Sequence, residues 1–155
     1  RRMKCGSMAL STRAVSSACS RHISRPPNPG MTYSESDIPA AITTPDGYVD
    51  SFEFSDVDLI KIDVEGHELE VLQGGLETLK RESPSLLIEI EQRHHPATGI
   101  EEIFSFIQEL GYRGSFLQHG RMKDLSEFDF ATHQSAADPR SPEYINNFIF
   151  QADRE

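Results

Sequence analysis

Four carboxylates, Asp63, Glu65, Glu89 and Glu91, fall at the ends of two short apolar runs, and His94 follows shortly after the last of them. Carboxylates crowded into one place raise one another's pKa, and a raised pKa suits a general base or a clamp for a substrate hydroxyl near neutral pH. Asp63, Glu65 and Glu89 are therefore the candidate catalytic groups, and Lys61, Glu91 and His94 the candidate substrate contacts around them. An acid inside an apolar strand is costly without a partner, so Glu89 in particular requires a function or a partner. Structural alternatives exist for each. Asp63 can pair with a buried Lys61, Glu65 can be an acid favoured in a first helical turn, and Glu91 and His94 can be solvated. A metal site of Asp63, Glu89, Glu91 and His94 can also be drawn, but the favoured reading uses no metal.

Elements that would position these groups are visible around them. Val57–Val64 and Ser85–Ile90 are short, β-branched or Leu-rich runs, the pattern of strands buried on both faces of a parallel sheet. Between them Leu69, Leu72, Leu76 and Leu79 recur at helical spacing, with Glu70, Gln73, Glu77 and Lys80 opposite, and Glu77 within reach of Arg81. A helix over 67–81 would be about 22 Å long, which matches a seven-residue strand of about 23 Å. Ser83-Pro84 ends it. A right-handed crossover then makes the two strands parallel and brings their terminal acids to one rim, where open α/β sheets bind ligands. Gly66 permits a sharp turn there.

Downstream, Gln92–Gly99 reads as a loop and Ile100–Leu110 as an amphipathic helix (Ile103, Phe104, Ile107, Leu110) stopped by Gly111. Tyr112–Gln118 reads as a strand, 125–140 as irregular, and 146–151 as a last strand antiparallel to its predecessor. Upstream, Thr43-Thr44-Pro45-Asp46-Gly47-Tyr48 has the composition of a turn. Four other histidines, His22, His67, His119 and His133, have ordinary structural readings.

Charge is unevenly spread. Residues 1–34 carry six basic side chains and no acid, whereas the remainder carries 25 acids against nine basic residues, giving −10 for the whole chain. The arm is poor in large aliphatics and ends in Arg25-Pro26-Pro27-Asn28-Pro29-Gly30, so residues 1–40 are predicted to be a low-order arm or the remnant of an upstream region. An organellar transit segment over 1–34 is an alternative to a cytoplasmic location. A nucleic-acid-binding arm lacks aromatic interleaving and is joined to an acidic body. Cys5 and Cys19 define neither a zinc site nor a disulfide framework. No apolar run is long enough to span a membrane.

Leu59-Ile60-Lys61-Ile62-Asp63-Val64-Glu65-Gly66-His67-Glu68, then Val71-Leu72-Gln73-Gly74-Gly75, then Pro84 and Leu87-Ile88-Glu89-Ile90, resembles the FkbM family of S-adenosylmethionine-dependent methyltransferases. Thr43-Thr44-Pro45-Asp46 is similar to that family's T-x-x-D element, and Asn147-Phe148-Ile149-Phe150 to its final strand. The resemblance spans residues 41 to 151. It implies a three-layer, class I (Rossmann-like) α/β sheet of seven strands with an antiparallel last strand, residues 41–155 supplying the fourth to seventh. It also implies transfer of a methyl group from S-adenosylmethionine to a hydroxyl on a sugar, polyketide or other small molecule. Asp63 and Glu65 would line the methyl-transfer site, with Asp63 also near the cofactor, and Glu89 would face the same cleft. The family's glycine-rich cofactor turn follows a strand, and no such turn precedes Asp63. The expectation is thus a sheet lacking its N-terminal cofactor-binding βα units and inactive alone. The alternatives are a degenerate, non-catalytic binding or dimerisation module and a metal-dependent hydrolase built on the acidic rim. Oligomeric state is not legible in the sequence.

Overall fold

Residues 9–10, 18–23, 35–40, 42–53, 56–95 and 99–152 are described by a computed structural model, with the backbone alone at 9–10, 18–23, 35–40 and 42. The elements in chain order are β1 (Ala9–Leu10), β2 (Ala18–Ile23), β3 (Glu35–Ala40), β4 (Ile42–Thr43), α1 (Pro45–Ser51), β5 (Leu59–Ile62), α2 (Glu68–Gly74), α3 (Leu76–Glu82), β6 (Ser85–Glu89), α4 (Glu101–Glu109), β7 (Tyr112–Gln118), β8 (Arg121–Asp124) and β9 (Asn147–Ala152). Within the stretch expected to be low in order, β2 pairs antiparallel with β3, and β1 pairs parallel with β4. The remainder of that arm, including Arg25–Gly30, lies outside the described residues.

The principal sheet has the order β5-β6-β9-β7-β8. β5 and β6 are parallel, with Leu59 opposite Ser85 and Ile62 opposite Ile88. β9 is antiparallel to both β6 and β7, so it lies between strands that run the same way. The expected antiparallel last strand is present. β8, by contrast, was not anticipated. Arg121–Asp124 is a polar run with no apolar alternation, and it forms a strand by extending the Gln118–Arg121 hairpin at the sheet edge.

Strand alternation sorts the core. Ile62, Leu86, Ile88, Phe148, Phe150 and Phe116 are buried on one face against Val71, Leu72, Leu79, Ile103 and Ile107 of the helices. Phe104 and Phe128 join Phe148 edge to face, with ring centroids 5.0 Å apart in each pair, a favoured aromatic geometry. The opposite face is only partly covered among the described residues: Leu87 and Ile149 in the middle of the sheet are half-buried, whereas Leu59 is 62% and Leu117 56% exposed. The expectation of strands buried on both faces is thus met fully on one face and in part on the other. Apolar residues on both sides of a strand show what burial it can accept, and do not show which element supplies it.

The expected single helix over 67–81 is two helices meeting at Gly75. A Cβ at Gly75 would stand 3.1 Å from Pro45 Cβ, so the missing side chain lets α1 pack against the junction. The proposed Glu77–Arg81 pair is replaced by Arg81 Nε to Glu82 Oε1 at 2.7 Å. Thr43–Tyr48, expected to be a turn, contains the start of α1. Thr44 is its N-cap, accepting from Gly47 N at 3.0 Å, and Pro45 occupies its first turn. Asp46, from the T-x-x-D element, caps α3 instead, accepting from Glu77 N at 3.1 Å, Thr78 N at 2.8 Å and Thr78 Oγ1 at 2.6 Å. Among the described residues no helix is long and apolar enough to cross a membrane.

Candidate active site

β5 ends at Ile62, and the chain turns through Asp63–His67 into α2. Two consecutive residues take left-handed geometry, Glu65 at φ +48° and Gly66 at φ +101°. Gly66 is required by space as well as by φ, because a Cβ there would approach His94 O to 2.9 Å. Glu65 has no such excuse. A non-glycine residue held at positive φ costs of order 1–3 kcal/mol and is concentrated at functional sites.

Asp63, Glu65, Glu68, Glu89, Glu91, Arg93 and His94 line one cleft of about 30 Å³ at the carboxyl ends of β5 and β6. The candidate residues are therefore brought together, apart from Lys61. Lys61 is exposed, not buried, and its Nζ donates to Asp63 Oδ2 at 3.1 Å with both side chains about half exposed. A larger open depression, about 630 Å³, lies at the opposite ends of β6 and β7 and is lined by Ser83, Ser85, Arg113, Ser115 and Gln151. It holds none of the crowded acids. The chemistry favours the smaller cleft.

The carboxylates in the cleft differ in environment. Burial, then the negative charges of Asp63 and Glu91, push Glu89 above the ordinary glutamate range, and Lys61 only partly opposes this. Burial also pushes Glu91 up, but the hydrogen bond from Tyr144 and the charge of Arg93 outweigh it and hold Glu91 below its usual value. Arg93 Nε lies 2.8 Å from Glu91 Oε2 and its terminal nitrogen 2.9 Å from Oε1, a two-point contact. Tyr144, desolvated and donating to Glu91, is pushed up to about 12. Asn146 Nδ2 donates to Glu89 Oε1 at 2.9 Å.

Glu68 and His95 were not expected to matter and are buried behind the rim, 2% and 8% exposed. Glu68 Oε1 accepts from Gly66 N at 3.1 Å. Its Oε2 stands 2.7 Å from His95 Nε2. Neither atom has an aligned hydrogen bond among the described residues, so the pair is a close polar contact buried behind the rim. The E-G-x-E string hinted at Glu68, but nothing local hinted at His95. Gln134, in a single π-helical turn over Ala131–Ser135, was also missed. Its Nε2 donates to Ile90 O at 2.8 Å and Ile145 O at 2.9 Å, while its Oε1 accepts from Gln92 N at 2.9 Å. The segment read as irregular thus ties β6 to β9 just behind the acids. Among the described residues no three His, Cys, Asp or Glu side chains form a group that could hold a metal ion, so the hydrolase reading gains no support.

An acidic rim on a βαβ unit, in a five-stranded sheet with an antiparallel strand inserted beside it, makes this an α/β protein whose fold is consistent with a methyltransferase-like one. The family model for the methyltransferase FkbM domain matches residues 6–113, more than half of the chain, and the chain belongs to that family. The match begins inside the stretch set aside as a basic arm and includes the whole βαβ unit with its rim. No curated protein and no solved structure matches the chain.

Proposed function

We propose that this methyltransferase-family chain serves S-adenosylmethionine-dependent O-methylation of a hydroxyl on a sugar, polyketide or similar small molecule, with Asp63 and Glu89 facing the acceptor. The observation that carries this reading is the convergence of Asp63, Glu65 and Glu89 on one cleft at the carboxyl ends of parallel strands, the place where such sheets bind ligands. The order β5-β6-β9-β7, with β9 reversed, supports assigning these strands to the later part of a class I sheet.

S-adenosylmethionine supplies a methyl group already activated on a sulfonium. Carboxylates suit its cationic sulfonium and amino groups, and Asp63, Glu65 and Glu89 are the cleft residues that would face them. The protein's task is then alignment and removal of one proton. Asp63, half exposed and, among the described residues, tethered by Lys61, is the base: it would take the proton of the acceptor hydroxyl when a bound cofactor supplied its methyl group to that oxygen. Glu89, which burial and the charges of Asp63 and Glu91 hold above its usual range, faces the same cleft as a polar clamp for the acceptor hydroxyl. Glu65, turned by its left-handed backbone, closes the negative side of the cleft, and His94 backs the turn at Gly66. Glu91 is satisfied by Tyr144, Arg93 and Asn146 and is not needed as an acceptor contact.

Incubation with methyl-labelled S-adenosylmethionine and a panel of polyhydroxylated acceptors tests this. Label is expected in an ether methyl group. Label on nitrogen or on a carboxylate instead would overturn the O-methylation reading.

A further inference from the structure

We propose that Asn146 is a positioning residue for Glu89, locked in place by the group formed by Glu91, Tyr144 and Arg93, so that Glu91 is an anchor of the site. The proposal rests on the reading of Glu89 as a group that faces the acceptor. Three contacts fix Asn146. Its backbone carbonyl accepts from Ile90 N at 2.8 Å, which ties it to the end of β6. Its Oδ1 accepts from Asn147 Nδ2 at 2.9 Å, which turns the amide nitrogen toward the acids. That nitrogen lies 2.9 Å from Glu89 Oε1 and 3.5 Å from Glu91 Oε1.

Glu91 can act as the fixed end because it is 6% exposed and fully engaged. Tyr144 donates to one oxygen, and Arg93 contacts both. Tyr144 and Asn146 come from the same short segment before β9, so one stretch of chain supplies both the anchor's partner and the amide that points at Glu89. Glu89 itself would otherwise rotate about three side-chain bonds. An amide donor on one of its oxygens leaves the other oriented toward the cleft. The donated bond also favours the ionised form, opposing the burial and the charges of Asp63 and Glu91. Lys61 acts in the same direction as Asn146, a side-chain hydrogen bond with Glu91 acts in the opposite one, and Glu65, Glu68, Arg93, His94 and Tyr144 are the other titratable groups around the cleft.

The test is a pH titration of the Glu89 side-chain carboxyl carbon by NMR in the full chain, in the wild type, Asn146→Ala and Tyr144→Phe. Asn146→Ala should move the Glu89 midpoint upward, and by more than Tyr144→Phe moves it in either direction. In the wild type the Asn146 side-chain amide protons should follow the Glu89 midpoint, a measurement that needs no variant to fold. A Glu89 midpoint that is unchanged or lowered in Asn146→Ala, or amide protons indifferent to Glu89, would overturn the proposal. Since no methyl transfer enters the titration, a responsive Glu89 in a protein that methylates nothing would count against the proposed function alone.

Discussion

Asp63→Asn in the complete enzyme is expected to slow methyl transfer by roughly 10²–10⁴, the usual contribution of a positioned general base. The substitution keeps size and shape and removes the ability to take a proton. It should cost little stability, because Asp63 is 52% exposed and its ion pair with Lys61 is half exposed, where such pairs contribute little. The loss should therefore appear in kcat, with an unfolding curve close to that of the wild type. Removing the cation by Lys61→Met should have a smaller effect, since Lys61 acts on Asp63 and Glu89 only through its charge. A loss below threefold in Asp63→Asn would show that Asp63 serves Lys61 and not the acceptor.

The largest stability effect is expected at His95. His95→Ala leaves Glu68 in a site where it is 2% exposed, without the group 2.7 Å from its Oε2. Leaving a buried polar group without its partner costs roughly 1–3 kcal/mol, and more for a charged group, against a typical domain stability of about 5–15 kcal/mol. Glu68→Gln should be milder, because its amide oxygen can still accept from Gly66 N while its nitrogen faces His95. The consequence reaches the cleft. Glu68 belongs to the first turn of α2 and His95 to the loop after β6, so the pair joins the segment bearing Asp63 and Glu65 to the one bearing Glu91 and His94. Urea unfolding at neutral pH measures the cost. A change under about 1 kcal/mol in His95→Ala would mean that the pair opens readily to water and does not join the two segments.

Much of this arrangement can be read from the chain, and the remainder could not be, for identifiable reasons. β6, α4 and β7 show local periodicity, Leu86 and Ile88 on one side of a strand and Ile103 and Ile107 on one side of a helix. The acids that close β5 and β6 are equally plain, because a carboxylate at the end of an apolar run stands out. The break at Gly75 is less so, since a glycine inside a helical pattern breaks it only when a neighbour needs the space, and that neighbour is Pro45. α1 was obscured because Thr-Pro-Asp-Gly suits a turn as well as a helix start. The partners of the acids were hidden for a different reason. Tyr144 lies 53 positions from Glu91 and Asn146 57 from Glu89, and Gln134 reaches a carbonyl 44 positions away. No local pattern encodes such contacts. They exist because β9 inserts between β6 and β7 and carries its preceding segment back to the rim.

The central claim is that methyl transfer takes place at the Asp63–Glu89 rim. Titration of the isotopically labelled chain with S-adenosylmethionine, followed through backbone amide resonances, tests it most directly. Saturable changes are expected at Asp63 to Gly66 and at Glu89, with Arg113 to Ser115 at the opposite end of the sheet unmoved. Changes centred on that opposite end, or no saturable change at the rim, would contradict the account.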